Sequence, residues 1–497
     1  MAILCVDYGL TTTKAVLFNP DGTEIGSSSA KTEISNIGDF AEIEMERQWK
    51  TTAGVIRSCL QKTGTDPRLV TGVGCSGHGA GLYPLDKRGR PVRKAISSMD
   101  GRAVGIIRDW KAKGLSSYRK TYQHMWNGQP VPLLFWLKEN EPDNYRVIHR
   151  ICMAKDWIKF KLTGELTTDF TDASCAGLLN LEEKRYDPEL FQPYQIEEVF
   201  EKLPAVSKST DLVGAVSKTA AEETGLVAGT PVIGGLFDVV ACALGSGVYD
   251  ESKYSITAGT WNINSAVGNR LLPSEEIMMW SLYADGEKYI CIDSSATSAV
   301  NLEWFIKNVI MGFNGLQYDY SQIYAKIEAG IRDFTAEEVD LIYLPFLYKS
   351  KLTRELDGGF VGFRASHNIY HLLRALYEGV VFGHRRHLEN LRRGGIVKEQ
   401  AALSGGAVNS ECWCQLFADI LGIEIITTKA SEIGALGTAI AVSVATGEYR
   451  SLEEAVQGMV SVNKHYYPGR DSLTYQKKYE RFTEIIDRLD HKPVLSE

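Results

Sequence analysis

The chain lacks the features that would tie it to nucleic acid, a membrane or a P-loop. Its 54 Lys and Arg residues are outnumbered by 62 Asp and Glu, for a net charge of −8. A nucleic-acid binder would show a basic excess instead. No apolar run is long enough to span a bilayer, and the opening Ala2 to Asp7 segment has no basic n-region before it. The expectation is therefore a cytoplasmic protein. No stretch reads GxxxxGK[ST], which excludes a P-loop. Nine cysteines are scattered, and the close pair Cys412 and Cys414 has neither zinc-ribbon spacing nor a second pair to complete a site. Reduced, mostly buried thiols are expected. Low-complexity tracts and solenoid repeats are also missing.

What is present is ordinary globular composition, 44% hydrophobic and 23% charged, in 497 residues. That length is too great for one core and predicts two large domains with a cleft between them. Small-molecule chemistry is the class that fits. The opening AILCVDYGLTTTKAVLFNPDGTEIG reads as a β-meander, with Asp21-Gly22 a hairpin signal. A helix is predicted from Glu46 to Cys59, with Trp49, Val55, Ile56 and Cys59 on its buried face. VTGVGCSG reads as the next strand. A similar pattern returns at YSITAGTWNINSAVG, so the chain looks like two related halves. The join is placed at VYDESKY, giving domains 1–250 and 251–497, each an α/β unit with a mixed sheet and flanking helices. Near the C-terminus, Ser451 to Glu454 forms a capping box. Tyr475, Tyr479, Phe482, Ile486 and Leu489 form one apolar core stripe.

Three turns carry candidate chemistry. Asp7 to Lys14 joins two strands through hydroxyls and free backbone N–H groups, which suit phosphate, or it is a hairpin without a ligand. Asp7 is placed to hold hydrated Mg²⁺, since that ion keeps most of its waters and needs only one or two carboxylates. Thr257 to Thr260 offers the same hydroxyl-rich turn in the second half. SGGAVNS, Ser404 to Ser410, lets backbone approach a flat ligand such as adenine, or is a plain strand-to-helix turn. In GGLFDVVACALG, Asp238 interrupts an apolar segment. A buried carboxylate there must be neutralised, hydrogen-bonded or set at a cleft; the alternative is a helix N-cap.

These spacings together resemble the FGGY family of sugar kinases, whose members have two actin-like, ribonuclease H-like domains with the active site between them. The resemblance covers essentially the whole chain. Its sharpest match is GGFVGFRASHNIYHLLRALYE, Gly358 to Glu378, with Leu376 in place of a smaller or β-branched residue. PLLFWLKEN is a partial match to the N-terminal signature, with Leu133 where a lysine is usual, and Leu10 departs from the usual Thr or Gly of the phosphate turn. Within the family, GGLFDVV, NLEWF, PFLYKS and LYEGVVFGH are most similar to L-xylulose kinases, also described as acting on 3-keto-L-gulonate.

The resemblance implies an ATP- and Mg²⁺-dependent ketose kinase with Asp238 as general base. Thr11, Thr12, Lys14, Gly259 and Thr260 would serve the phosphates, and Gly405, Gly406 and Asn409 the rest of the nucleotide. Asp7 would hold the metal through water, with Asp238 a further metal contact. His78 falls where a glutamine is common among sugar contacts, or is an ordinary packed or surface histidine, and Ala80 falls where D-xylulose kinases carry histidine. Asp100 and Arg102 match a substrate-facing Asp-x-Arg segment, or form a surface ion pair. Trp126 walls the sugar or belongs to the core. A homodimer is implied by resemblance alone. Other readings are a kinase for D-xylulose, L-ribulose, erythritol or another polyol, and, outside the class, an actin-like nucleotide-switched binding protein.

Overall fold

The structure is a computed structural model describing residues 1–311, 319–348, 356–469 and 471–490. It divides into two compact units. The first comprises Met1–Glu251, Val267–Cys291 and Ala430–Ser461; the second comprises Ser252–Ala266, Ile292–Lys429 and the chain from Val462 onward.

In the first unit the predicted meander forms as the strands Ala2–Tyr8, Thr12–Phe18 and Glu24–Lys31, turning at left-handed Gly22. Ala2–Tyr8 also pairs in parallel with Val70–Gly77, and the sheet continues through Pro231–Ile233 to Leu212–Ala215. A short seventh strand, Leu236–Phe237, pairs beside the end of Val70–Gly77. The two faces of that central strand differ in residue size for a packing reason. Val73 and Cys75 enter the core against helix Met45–Thr63, whose buried face includes Trp49, Val55, Ile56 and Cys59 as predicted. Gly72 and Gly74 face the other way. A Cβ on either would sit 2.6–2.9 Å from side chains of Thr438, Val442 or Thr446 in helix Ile433–Ala445, so only glycine lets that helix dock.

The same economy of space joins helix Ile433–Ala445 to helix Asp238–Gly245. A Cβ on Gly437 would stand 1.9 Å from the Ala241 carbonyl, and one on Gly245 would stand 2.0 Å from the Ile433 carbonyl. The backbones therefore touch, which fixes where Asp238 emerges. A second core in this unit surrounds helix Pro130–Asn140, where Leu133 is fully buried.

The second unit repeats the motif. Tyr254–Ala258 and the strand Asn262–Gly268 form a hairpin, and Tyr254–Ala258 pairs in parallel with Gln400–Ser404. Glu424–Thr428 and Val462–Tyr466 follow. The family-signature segment becomes strand Gly359–Val361 and helix Ile369–Arg393, the latter capped by the Asn368 side chain. Two details differ from expectation. Ser451 accepts the Glu454 N–H, but the Glu454 carboxylate caps the Arg450 N–H instead of closing the box. Tyr475, Tyr479, Phe482 and Ile486 are buried, whereas Leu489 is 40% exposed because the last turn of Ser472–Asp490 runs past its packed face. No disulfide joins the described cysteines, seven of which are buried. Among the described residues no helix is long and apolar enough to cross a membrane.

Candidate active site

Asp7 lies at the end of its strand, in register with Lys14 across the hairpin and with Ser76 on the parallel side. Ser76 Oγ is 3.2 Å from Asp7 Oδ1. The turn is held by Gly9 N–H donating to Thr12 O and by Thr32, which donates its N–H to Thr11 O and its hydroxyl to Gly9 O. Thr13 turns inward, where its hydroxyl meets Thr32 Oγ1 at 3.0 Å and Gln48 Nε2 at 2.7 Å. Thr13 is thus a core residue. Exposed Thr11 and half-buried Thr12 are the hydroxyls left at the surface of the turn. Lys14 Nζ donates to both carboxylate oxygens of Glu432, at 3.0 and 2.8 Å. Glu432, which precedes helix Ile433–Ala445, escaped the sequence reading because an acid before an apolar helix looks like ordinary N-terminal chemistry.

Asp238 opens helix Asp238–Gly245 and does not cap it; the cap position is Phe237, whose side chain makes no capping bond. The N-cap alternative is thereby removed. Gly234 and left-handed Gly235 bring the chain in, since a Cβ on them would strike the Lys208 and Cys75 carbonyls at 2.2 and 2.5 Å. The carboxyl of Asp238 is held well above the ordinary aspartate range by burial, with the Asp7 charge adding to the rise and the Val239 N–H opposing it. Asp7 is also raised, by burial first, against the pull of Ser76 and Lys14, with Glu432 adding. Perturbed carboxyls of this kind collect at functional sites.

Of the sugar-side candidates, His78 and Trp126 lie on adjoining segments. A Cβ on Gly79 would touch the Phe237 ring at 2.7 Å, so the segment bearing His78 lies beside Asp238. His78 is buried with Tyr83 Oη 3.4 Å from Nε2 and Ser98 Oγ 3.4 Å from Nδ1. Burial lowers it to about 4, so the imidazole is neutral at physiological pH. Gly128 packs against the Ser98 carbonyl and the Trp126 ring, which brings half-buried Trp126 alongside. Its Nε1 is buried without a partner. Ala80, at the place of the D-xylulose kinases' histidine, is fully buried in the second core at φ 59°, its N–H bound by Asp172, so its methyl lines no open wall.

Asp100 and Arg102 are likewise no surface pair. Asp100 is fully buried and accepts from Ala41 N, Arg102 N, Nε and Nη2. The guanidinium lies over both the Phe40 and Trp136 rings, which meet each other edge to face, and also reaches Glu42. Its forked edge is taken, leaving Nη1 as the unpartnered nitrogen.

Sequence reasoning also missed a buried charge cluster beneath these loops. Lys155 Nζ sits among Asp156, Asp169 and Asp172 at 2.8, 2.6 and 2.9 Å, and Lys159 Nζ donates to the Gly234 carbonyl at 2.7 Å. The ammonium fills the space between the three carboxylates, so they are not a metal site.

In the second unit, Thr257 Oγ1 is 3.0 Å from Ser404 Oγ, the residue paired with it in the parallel register. Gly405, at φ 89°, stacks the SGG turn onto the Ala258 carbonyl; a Cβ there would be 2.6 Å away. Gly259 and Gly406 differ. A Cβ on Gly259 meets nothing, and one on Gly406 meets its nearest neighbours at 4.0 Å. With exposed Thr260 and Asn409 they form a rim whose open space the protein itself does not need. Glu328 closes the head of the following helix, Glu411–Leu421, by accepting from Ser410 Oγ and Cys412 N.

Residues 2–245 match the N-terminal domain, and residues 254–446 the C-terminal domain, of the FGGY family of carbohydrate kinases. The chain is 35% identical over 491 residues to the L-xylulose/3-keto-L-gulonate kinase of Escherichia coli (strain K12), covering 98% of this chain and 97% of that protein. It is 34% identical to a probable L-xylulose kinase of Pasteurella multocida (strain Pm70), with 98% of each covered. The xylulose kinase of E. coli K12 is 26% identical, covering 97% and 98%. A solved ligand-bound xylulose kinase from Lactobacillus acidophilus shares the fold, with a TM-score of 0.86 at 24% identity and 99% of both chains covered. The chain belongs to the FGGY family of carbohydrate kinases, with the two-domain actin-like architecture of that family. It is a sugar kinase, and the family implies ATP as phosphoryl donor; the nucleotide-switched binding protein is set aside. Of the stretches similar to L-xylulose kinases, Lys349 and Ser350 of PFLYKS lie outside the described residues.

Proposed function

We propose that the enzyme transfers the γ-phosphoryl group of ATP to the primary hydroxyl of L-xylulose or 3-keto-L-gulonate. The observation that carries this reading is the 35% identity over 98% of the chain to an L-xylulose/3-keto-L-gulonate kinase, against 26% to a xylulose kinase from the same organism. The hydroxyl oxygen attacks the γ-phosphorus as its bond to the ADP oxygen breaks, and Asp238 takes the hydroxyl proton. A raised carboxyl suits this task, because a stronger base accepts the proton more readily once ionised. Trp126 Nε1 offers a sugar-side hydrogen bond, and Arg102 Nη1 offers one charge-assisted donor to a carboxylate. Thr11 and Thr12 serve the phosphates, and Lys14 joins them only by leaving its pairing with Glu432. Gly259 and Thr260 serve the phosphates from the second turn, and Gly405, Gly406 and Asn409 serve the rest of the nucleotide.

Mg²⁺ fits the donor set, because Asp7 and Asp238 present hard carboxylate oxygens while the nearby Lys14 is paired to Glu432. Asp7 would hold it through water with Asp238 adjacent, and when bound it would neutralise phosphate charge. The reading also includes a cytoplasmic homodimer, for which sedimentation is the check. The deciding experiment is a coupled ADP-release assay over L-xylulose, 3-keto-L-gulonate, D-xylulose, L-ribulose and erythritol. The first two are expected to exceed D-xylulose in kcat/KM, the order that the identities favour. Equal or faster turnover of D-xylulose would sink the sugar assignment and leave the kinase intact.

A further inference from the structure

Asp238 follows Leu236–Phe237, a strand of only two residues that pairs with Ser76 and Gly77. So short a strand fixes its end weakly. A side chain supplies what the ladder does not. The Phe237 N–H donates to Thr171 Oγ1 at 2.8 Å, and the same hydroxyl donates to Asp169 Oδ1. Asp169 Oδ1 also accepts the Thr171 N–H at 2.9 Å, so the threonine rotamer is set from two directions. Asp169 is in turn held by Lys155, whose ammonium also grips Asp172, and Asp172 Oδ1 binds the Ala80 N–H at 3.2 Å. Upstream in the same loop, Lys159 holds the Gly234 carbonyl. All five charged groups have fully buried side chains, and Thr171 is fully buried too. One rigid cluster thus grips the loop ahead of Asp238 and the loop after His78.

We infer that Thr171 is a positioning residue for the kinase reaction, transmitting the rigidity of the Lys155 cluster through the Phe237 N–H to Asp238. The inference rests on Asp238 being the base. A hydroxyl is required because the position must accept one hydrogen bond and donate another at once, and serine, threonine and tyrosine hydroxyls do both. Valine keeps the shape and does neither. It leaves the Phe237 N–H buried without an acceptor and frees the backbone ahead of Asp238 to shift. Misplacement of a base by a fraction of an ångström lowers the chemical step while leaving substrate and nucleotide contacts alone.

The test is a double-mutant cycle with Thr171→Val and Asp238→Asn, read as kcat and both KM values on folded protein. Thr171→Val is expected to lower kcat about tenfold with each KM within about twofold, and Thr171→Ser to restore it. In the Asp238→Asn background the valine should cost nothing further, because its effect passes through the carboxylate that is gone. Wild-type kcat for Thr171→Val, or the same tenfold loss on top of Asp238→Asn, overturns the inference. Near-normal turnover by Asp238→Asn alone is a distinct result and overturns the base assignment. Should the valine variant not fold, Thr171→Cys replaces it, since a thiol is a weak acceptor; unchanged kcat there overturns the inference as well.

Discussion

In the first unit Asp7 stands opposite Ser76 at the end of a strand; in the second, Thr257 stands opposite Ser404 at the matching place. Each pair touches, at 3.2 and 3.0 Å. Two residues on, each chain turns at a glycine whose N–H bonds back across the hairpin, Gly9 to Thr12 O and Gly259 to Trp261 O. One backbone plan has been given two chemistries. The first turn is crowded, with Thr13 in the core and Lys14 locked to Glu432, and it begins at Asp7, a carboxylate held above its ordinary range. The second is uncharged and leaves empty space above Gly259 and Gly406. Charge in one place and room in the other is the division expected between reacting groups and a ligand cradle.

The comparison breaks most completely at Asp238. Asp238→Asn should fold and bind ATP, yet lose at least about 10²-fold in kcat, since an amide takes no proton. Steady-state kinetics beside a thermal melt would show it. Turnover near wild type in a folded variant would move the chemistry away from the first unit.

The cradle is tested next, by two adjacent glycines that should respond differently. Gly406→Val has room in the protein itself, so it should melt normally while KM for ATP rises about tenfold or more and KM for sugar holds. Gly405→Val forces a β-branched residue to φ 89° against the Ala258 carbonyl, and should fail to fold or melt far lower. Matching behaviour in the two variants would mean the space above Gly406 serves no ligand.

Thr13 and Thr12 make the third pair. Thr13→Val strips Gln48 and Thr32 of a buried partner and should cost about 1–3 kcal/mol in stability with KM for ATP unchanged. Thr12→Val should do the reverse. A rise in KM from Thr13→Val would return its hydroxyl to the nucleotide.

A smaller effect belongs to His78 and appears only in acid. Its folded-state value of about 4 lies below the ordinary histidine value of about 6.5. As pH falls through that window the unfolded chain takes up a proton the folded chain refuses, so stability declines with falling pH. His78→Gln should remove that part of the decline between roughly pH 6.5 and 4, measured as denaturation midpoints. An unaltered profile would show that His78 protonates in place.

Strands and turns were legible because alternation and glycine punctuation are local signals. The meander, the Val70–Gly77 strand and the second hairpin all fell where the pattern put them. Asp238 was legible because a carboxylate in an apolar run demands an explanation. The partners were not. Glu432 is 418 residues from Lys14, and the Lys155 cluster assembles two segments whose separate charges look like solvated faces. Ala80 misled for the opposite reason: its neighbours are sugar contacts by resemblance, but a left-handed backbone and a bond to Asp172 turn its methyl into the core.

The finest test of the two turns is the smallest change that fits both, a single methyl at Gly9 and at Gly259. Neither glycine has a left-handed backbone, so alanine is conformationally admissible at each. At Gly9 the new Cβ would lie 2.9 Å from the Thr12 carbonyl, inside contact distance and against backbone that has nowhere to move. Gly9→Ala should therefore lower the melting temperature and disturb the phosphate turn together. At Gly259 the Cβ meets nothing within 4 Å. There the shorter list of unfolded conformations should leave stability unchanged or raise it by about 0.4–1 kcal/mol. Any loss in Gly259→Ala must then come from something outside the chain, and a rise of about two- to fivefold in KM for ATP at unchanged kcat is the expected sign of a nucleotide passing close to that backbone. If Gly259→Ala leaves KM for ATP where it was, the open space belongs to solvent, and the likeness of the two turns is a matter of folding alone.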